Sequence, residues 1–438
     1  MSRPSGATTT GVLYAWGANH TGQATGVPGE DQTAPVVVPG LPPVVQAVCN
    51  ACTALALDAE GRVWSWGWNQ GGLLGRGPHP AQMQAIWTPA ALRRRGHRML
   101  APSTEPPTPV PQDDDPDWDG GPEWDEALQM LQSAADRAPP PPALQGACPP
   151  QAVEGLPPIA QIAIGDAAAL ALDQEGGVWA WGERTLCGLP SSQRAVAEDL
   201  CWTPVRVSGL ERIRHISLHP EGTAAYAVDA AGTAWSWGQG WEGELGQGKR
   251  RSDAVPAPLV FSAPVRTVAA GAFCALALLE DGTAWGWGNA QAHLGFHSPK
   301  RNTLRVLAPV PVQGLAGAVR GLWLGGNVAV YRLENGDSYV CGTGLDLLRE
   351  AWAGEFPAQP LRAPELDGWA DFFVGGSHGF AIDGQGHAWG FGRVECGALA
   401  NGEDAEDVLR APLPIAALPG RAFALAAAGH SSLALCGA

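Results

Sequence analysis

The sequence has few positive charges and no long apolar segment. Its 27 Lys and Arg residues stand against 43 Asp and Glu, giving a formal net charge of −16 at pH 7. Nucleic-acid binding needs a clustered positive surface, so this balance argues against a nucleic acid as the main ligand. No apolar run reaches the roughly 18 residues of a membrane-spanning helix, and the start, MSRPSGATTTGVLYAWG, holds no apolar signal segment. We therefore expect a cytoplasmic protein that does not span a membrane.

Sequence motifs of enzymes and metal sites are also missing. There is no Walker loop, and the G-x-S-x-G match GGSHG (375–379) opens the strand-like stretch GGSHGFAI, so it does not form a strand-to-helix elbow. His215 and His219 are four residues apart, but IRHISL is typical of a strand and would not align them on a helix. The nine cysteines are odd in number and irregularly spaced, and the C-x-x-C of Cys49 and Cys52 lacks further zinc ligands nearby. We expect reduced thiols, no metal, no cofactor and no enzymatic activity.

What the chain has in quantity is glycine (58 residues) and tryptophan (19 residues). In VWSWG, Trp64 and Trp66 are two residues apart, which places both on one face of a short strand. The preceding TALALD and the turn residues DAEG complete a β-hairpin. The aromatic strand occurs seven times, as YAWG (14–17), WSWG (64–67), WAWG (179–182), WSWG (235–238), WGWG (285–288), YVCG (339–342) and WGFG (389–392).

The repeat length predicts a β-propeller. Most copies follow one another at roughly 50 residues, the length of a propeller blade, whereas the interval from Trp66 to Trp181 is about double and must contain an insertion. The chain begins with an aromatic strand and ends with the apolar strand that would pair with it, so the two ends would close one blade and leave no open sheet edge. We therefore expect an all-β, seven-bladed propeller over residues 11–438. Large aromatic residues would fill the wedges between blades: Trp16, Trp66, Trp181, Trp237, Trp287 and Trp389.

These repeats resemble the regulator of chromosome condensation repeat family, whose units carry an xWG…GxLGxG loop and a GxxH[ST]xAL strand. EGELGQG (242–248) and GGLLGRG (71–77) match the loop, and GGSHGFAI retains the histidine as His378. At the corresponding position other repeats have Thr53, Ala168, Ala224, Cys274 and Ser431. The resemblance implies a seven-bladed propeller.

The resemblance also implies a scaffold that binds a partner protein through one loop face, with or without the inserted arm, and we expect the chain to be a monomer. An alternative that it leaves open is guanine-nucleotide exchange on a small GTPase. A second alternative is a tryptophan-based ultraviolet sensor, although the GWRHT motif of the plant receptor with this fold is absent.

The inserted segment, residues 93–151, has a basic start (RRRGHR), a proline-rich middle and an acidic stretch that begins with Asp113, Asp114 and Asp115. A helix is predicted near 122–138, because Trp124, Leu128 and Leu131 would form one apolar stripe. The segment is either a tolerated surface insertion or a partner-binding arm with Trp118 and Trp124 as aromatic anchors. In a third interpretation, the acidic arm folds back onto the basic loops GKRRSD (248–253) and SPKRN (298–302).

Overall fold

Each repeat folds into a four-stranded antiparallel sheet in the computed structural model, so that seven such sheets follow one another along the chain. The structure describes residues 9–78, 148–189, 200–290, 294–296, 304–325, 328–343, 359–375, 378–400 and 408–437. Three short 3-10 turns lie in this part of the chain, at Gln70–Gly72, Pro364–Leu366 and Glu395–Gly397.

The strands of the first sheets along the chain are β1 (Val12–Gly17), β2 (Gln32–Val37), β3 (Val44–Cys49), β4 (Thr53–Asp58), β5 (Val63–Gly67), β6 (Cys148–Ala152), β7 (Ile159–Ile164), β8 (Ala168–Asp173), β9 (Val178–Glu183), β10 (Leu200–Arg206), β11 (Ile213–Ser217), β12 (Ala224–Asp229), β13 (Ala234–Gly238) and β14 (Asp253–Pro258). The remaining strands are β15 (Val265–Ala270), β16 (Cys274–Leu279), β17 (Ala284–Asn289), β18 (Arg305–Pro311), β19 (Val319–Gly325), β20 (Val328–Leu333), β21 (Ser338–Gly342), β22 (Leu361–Arg362), β23 (Trp369–Val374), β24 (His378–Asp383), β25 (Ala388–Arg393), β26 (Val408–Pro414), β27 (Ala422–Ala428) and β28 (Ser431–Cys436).

The sheets form a closed ring, which confirms the predicted seven-bladed propeller. Blades 2 to 7 are consecutive sets of four strands, β3–β6 through β23–β26, whereas blade 1 combines β27 and β28 with β1 and β2. The first strand of each set is innermost, and neighbouring inner strands contact one another all the way round, from β27 to β3 and back from β23 to β27. Pairing of β1 with β28 joins the two ends of the described chain, as the sequence predicted.

In blades 2, 3, 4 and 7, an aspartate caps the hairpin turn that joins the two middle strands. In blade 2, one Asp58 carboxylate oxygen accepts hydrogen bonds from the backbone N–H groups of Glu60 and Arg62, at 3.0 and 2.8 Å. The other oxygen accepts from the indole N–H of Trp64 at 2.9 Å. Gly61 lies between Glu60 and Arg62 in this turn and has φ +82°, a conformation that strongly favours glycine. The same carboxylate-to-indole bond recurs at Asp173, Asp229 and Asp383.

In five blades, the tryptophan just before the final glycine of the aromatic motif fills the wedge between two blades. Trp16, Trp66, Trp181, Trp237 and Trp287 have no exposed surface. Each donates its indole N–H to a carbonyl in the long loop of the preceding blade, namely that of Ala398, Gln23, Leu73, Leu186 and Glu244 respectively. The wedge is thus held by apolar burial and by one hydrogen bond that leaves no indole N–H unpaired.

Blade 7 departs from this pattern at the residue predicted to fill its wedge. Trp389 lies at the first aromatic position, where it is half-buried and donates to Asp383 at 3.3 Å. The inter-blade position is taken by Phe391, which is 1% exposed. In WGFG the tryptophan comes first and the second aromatic residue is phenylalanine. Choosing the tryptophan of this strand as the wedge filler therefore selects the wrong side chain.

The inserted segment lies almost entirely outside the described residues, as do the helix predicted near 122–138 and all of its proposed anchor residues. Its boundary nevertheless changes. Residues 148–151, assigned to the insertion from the sequence, form most of β6, which pairs with β5 as the outer strand of blade 2. The insertion therefore replaces only the connection between β5 and β6.

Candidate functional site

Strand direction divides the connections between two faces of the ring. Inner strands such as β3 run toward the loop that precedes the second strand, and third strands such as β5 run toward the long loop that precedes the outer strand. Because alternate strands are antiparallel, both sets of loops lie on one face, here called the loop face. The hairpin turns and the links between blades lie on the opposite face. The segment between β5 and β6 therefore begins and ends on the loop face.

The central channel is lined by the inner strands and encloses a cavity of about 530 Å³. Polar side chains of the inner strands bind the backbone of the next blade. Gln46 both donates to the carbonyl and accepts from the N–H of Ile162, at 2.8 and 2.9 Å, and Gln161 makes the same pair of bonds to Ile216. A ring nitrogen of His215 lies 3.1 Å from the carbonyl oxygen of Val268. These side chains link one blade to the next, so they are used by the fold.

The histidines of the described chain offer no assembled catalytic or metal site. His215 belongs to a strand, as the sequence indicated, and burial lowers its pKa and that of His219 to about 4. His378 is 1% exposed, bonds to the Ser432 hydroxyl at 2.9 Å and has its pKa lowered to about 4 by burial. Among the residues the structure describes, no group of three or more His, Cys, Asp or Glu side chains could hold a metal ion.

His378 and the residues aligned with it occupy equivalent places. Thr53, Ala168, Ala224, Cys274 and Ser431 each begin the second strand of a blade, as His378 does, and all are buried. Thr53 donates its hydroxyl to the carbonyl of Trp68 at 2.6 Å. This position therefore packs the start of the strand, and it does not reach a binding surface.

The long loop of blade 4 (239–252) is held in place by bonds to three strands. The carbonyl of Glu244 accepts from the Tyr226 hydroxyl and from the indole N–H of Trp287, both at 2.6 Å. The Ser236 hydroxyl donates to the carbonyl of Leu245 at 2.6 Å. A backbone bond of 2.7 Å from Gly248 to Leu307 adds a link to blade 5. Such a loop presents its surface residues from a fixed backbone.

Trp241 protrudes from this fixed loop. Its side chain is 59% exposed, whereas the tryptophans at the wedges have no exposed surface. Its carbonyl accepts a 3.2 Å bond from Arg250, and Lys249 and Arg251 on either side of that arginine are exposed. Burial, followed by the repulsion of Arg305, lowers the pKa of Arg250, although an arginine stays cationic at neutral pH.

Blade 5 extends this surface. Arg305 donates two hydrogen bonds to the Glu242 carboxylate, of 2.9 and 3.1 Å, and so forms a bidentate ion pair with the residue next to Trp241. Leu304, beside Arg305 in the chain, is 53% exposed. Together these residues form what is here called the Trp241 patch: Trp241, Lys249, Arg250, Arg251 and Leu304. The patch combines a large rigid aromatic side chain, an aliphatic neighbour and a cationic rim.

The patch was not singled out from the sequence, although the basic cluster GKRRSD that borders it was. The proposed anchors of the insertion, which are Trp118, Trp124, Leu128, Leu131, Asp113, Asp114 and Asp115, lie outside the described residues. The signal that distinguishes Trp241 is its position outside the alternating xWG strands, in a glycine-rich loop that ends in three consecutive cations, Lys249, Arg250 and Arg251.

Comparisons with known proteins agree with the repeats. The chain is 27% identical over 303 residues to the mitochondrial RCC1 domain-containing protein RUG3 of Arabidopsis thaliana, covering 66% of this chain and 63% of that protein. It is 24% identical over 400 residues to the guanine nucleotide exchange factor SRM1 of Saccharomyces cerevisiae, covering 83% of this chain and 73% of that one. The chain therefore spans less than two thirds of the length of the first of these relatives.

Solved structures show the same fold. Yeast RCC1 (Prp20), in its crystal structure with Kap60, aligns with a TM-score of 0.71 at 18% identity, over 100% of this chain and 95% of that one. In the described part of this chain, no helix has the length and hydropathy needed to cross a membrane.

The sequence profile of the RCC1-like domain matches residues 12–435, nearly the whole chain. This protein therefore belongs to the RCC1-like domain family.

Proposed function

We propose that this chain is a non-enzymatic scaffold that binds a partner protein through its loop face, with the Trp241 patch as the centre of contact. The observation that carries the proposal is the 59% exposure of Trp241 on a loop fixed by hydrogen bonds to its own blade and to the next. Tryptophan and arginine are the residues most enriched at the energetic centres of protein interfaces. A rigid loop adds little ordering entropy to the cost of binding.

The charges at the patch indicate the kind of surface it would bind. The chain as a whole carries a net charge of −16, yet Lys249, Arg250 and Arg251 are consecutive at this point. Glu242 pairs with Arg305 and also acts on Arg250, and Arg251 makes a 3.9 Å ion pair with Asp253, so nearby carboxylates offset part of this charge, while Lys249 is exposed. We expect a partner with an apolar pocket for Trp241 and an acidic rim, since opposite charges speed encounter and fix orientation.

Affinity capture with matched variants tests the proposal. The full chain would be compared with Trp241→Ala, with Lys249→Glu/Arg251→Glu, and with a variant in which residues 93–147 are replaced by a Gly/Ser linker. Val260→Ala is the control, because Val260 is an exposed apolar residue (85%) in a link on the opposite face. We expect one protein to be captured by the full chain and the control, but lost with Trp241→Ala and with the charge reversal. Capture by every variant alike would contradict the role of the patch, and loss with the linker variant alone would move the site to the inserted arm.

Guanine-nucleotide exchange on a small GTPase is the second candidate, and the likeness to SRM1 across 83% of this chain is what favours it. A scaffold and an exchange factor differ in one measurement: only the exchange factor accelerates release of labelled nucleotide from its GTPase. We expect the captured partner either not to be a GTPase or to release nucleotide at an unchanged rate. An accelerated release would replace the scaffold proposal with exchange activity at the same face.

A further inference from the structure

Two cysteines of blade 3, Cys187 and Cys201, lie beside the same residue next to the loop face. Cys187 lies in the loop after β9, has no exposed surface, and its thiol donates to the Gly182 carbonyl at 3.8 Å. Cys201 is the second residue of β10 and pairs directly with Gly182 across the two strands. Both cysteines therefore lie beside Gly182, where the Cys187 S–H can turn from the Gly182 carbonyl toward the Cys201 sulfur.

Their surroundings give the two thiols different roles. The hydrogen bond from Cys187, and more weakly the positive charge of Arg184, lower the pKa of Cys201 despite its partial burial. Burial, and then Cys201 itself, raise the pKa of Cys187 well above its ordinary value. By contrast, burial raises the pKa of Cys49 and Cys274 to about 12. Cys201 is also 8% exposed, whereas Cys187 has no exposed surface, so a small oxidant would meet Cys201 first.

We propose that Cys187 and Cys201 form a dithiol–disulfide site that a peroxide oxidises, with Cys201 as the nucleophile and Cys187 as the resolving thiol. The Cys201 thiolate attacks one oxygen of hydrogen peroxide and breaks the O–O bond, giving the Cys201 sulfenic acid and, after protonation, one water. The Cys187 sulfur then attacks the sulfenic sulfur, and the departing hydroxide takes the Cys187 proton as a second water. Two thiols and one peroxide thus become one disulfide and two waters.

The residues next to the two cysteines make hydrogen bonds to the neighbouring blades, so a disulfide here would affect contacts between blades. Leu186, next to Cys187, offers the carbonyl that receives the indole N–H of Trp237 from blade 4 at 2.8 Å. Trp202, next to Cys201, offers the carbonyl that receives the backbone N–H of Gly77 from blade 2 at 2.9 Å. A disulfide would covalently link the two segments that make these contacts. It would also constrain the unfolded chain between Cys187 and Cys201. Oxidation should therefore raise the melting temperature.

Peptide mapping of the full-length protein tests the site without any variant. Fully reduced protein is treated with one equivalent of hydrogen peroxide, free thiols are alkylated, and the digest is read by mass spectrometry. We expect a peptide cross-linked through Cys187 and Cys201, lighter by about 2 Da than the sum of its parts because two hydrogens are lost, together with a higher melting temperature that dithiothreitol reverses. Alkylation of both cysteines after treatment, or Cys201 sulfinic acid with no cross-link, would overturn the proposal.

Variants then assign the roles. Cys187→Ser should leave Cys201 as a sulfenic acid that dimedone labels, whereas Cys201→Ser should leave Cys187 alkylatable and unoxidised. Cys396→Ser is the matched control, since Cys396 is an exposed thiol in blade 7, and it should form the same cross-link as the wild type. Dimedone labelling of Cys187 in Cys201→Ser at the wild-type rate would contradict the assigned order of attack.

Discussion

Removal of the Trp237 ring tests how the blades are held together. The side chain has no exposed surface, packs in a cluster that includes Leu170 and Ala225, and donates to the Leu186 carbonyl at 2.8 Å. Trp237→Ala opens a cavity of aromatic size and leaves that carbonyl without its donor. Substitutions of this kind destabilise by about 3–5 kcal/mol. We expect the free energy of unfolding to fall by that amount.

Trp237→Phe separates the two contributions. It keeps most of the apolar contact, as Phe391 does at the same position of blade 7, but removes the indole N–H. The unpaired Leu186 carbonyl should then cost about 1–3 kcal/mol. Trp241→Ala is the control, because an exposed tryptophan away from the core should change stability by no more than about 0.5 kcal/mol.

The assay is urea unfolding followed by circular dichroism, with each variant compared with the wild type at the same pH. The expected order of stability is wild type, equal to Trp241→Ala, then Trp237→Phe, then Trp237→Ala. An unfolding midpoint for Trp237→Ala equal to that of the wild type would refute the role of these tryptophans as fillers between blades. Equal losses for Trp237→Ala and Trp241→Ala would do so as well.

Three further outcomes are expected. Burial acts to raise the pKa of Asp383, but hydrogen bonds from His387 outweigh it and lower this pKa to about 2. Asp383→Asn should therefore lower the melting temperature at pH 7, and the difference from the wild type should shrink as the pH falls from about 4 toward 2. A difference that stays constant with pH would contradict this. Burial lowers the pKa of His215, His219 and His378 to about 4, so wild-type stability should fall as pH drops from about 6.5 to 4, and His378→Gln should flatten this dependence in a pH series of melting curves. Replacement of residues 93–147 by a linker should leave the melting temperature unchanged, whereas extending the replacement into β6 should lower it; equal melting temperatures would contradict the assignment of β6 to blade 2.

The repeated hairpins were predictable because their signal is local. An apolar strand, an aspartate with a glycine turn and an alternating aromatic strand lie within about fifteen residues, and the same order recurs at a blade's length. The glycine that ends each aromatic strand has a physical reason as well. Gly67 has φ +92°, and a Cβ there would lie 2.4 Å from the carbonyl oxygen of Cys52. A conformational requirement of this kind leaves a visible mark in the sequence.

Outer strands and surface side chains were harder to predict because their partners are distant. β6, with the sequence CPPQA, pairs with β5 across the whole insertion, and its prolines are tolerated because an outermost strand needs hydrogen bonds on one side only. Trp241 lies in a glycine-rich loop whose sequence does not say which side chains the neighbouring blade will cover. Its 59% exposure was therefore visible only in the structure.

The most direct test of the proposed loop-face scaffold is hydrogen–deuterium exchange of the full chain, free and bound to its captured partner. The account predicts slower exchange in the complex over residues 239–252 and at the start of β18, with unchanged exchange in the hairpin turns of the opposite face. Protection of the opposite face with no change over residues 239–252 would contradict it.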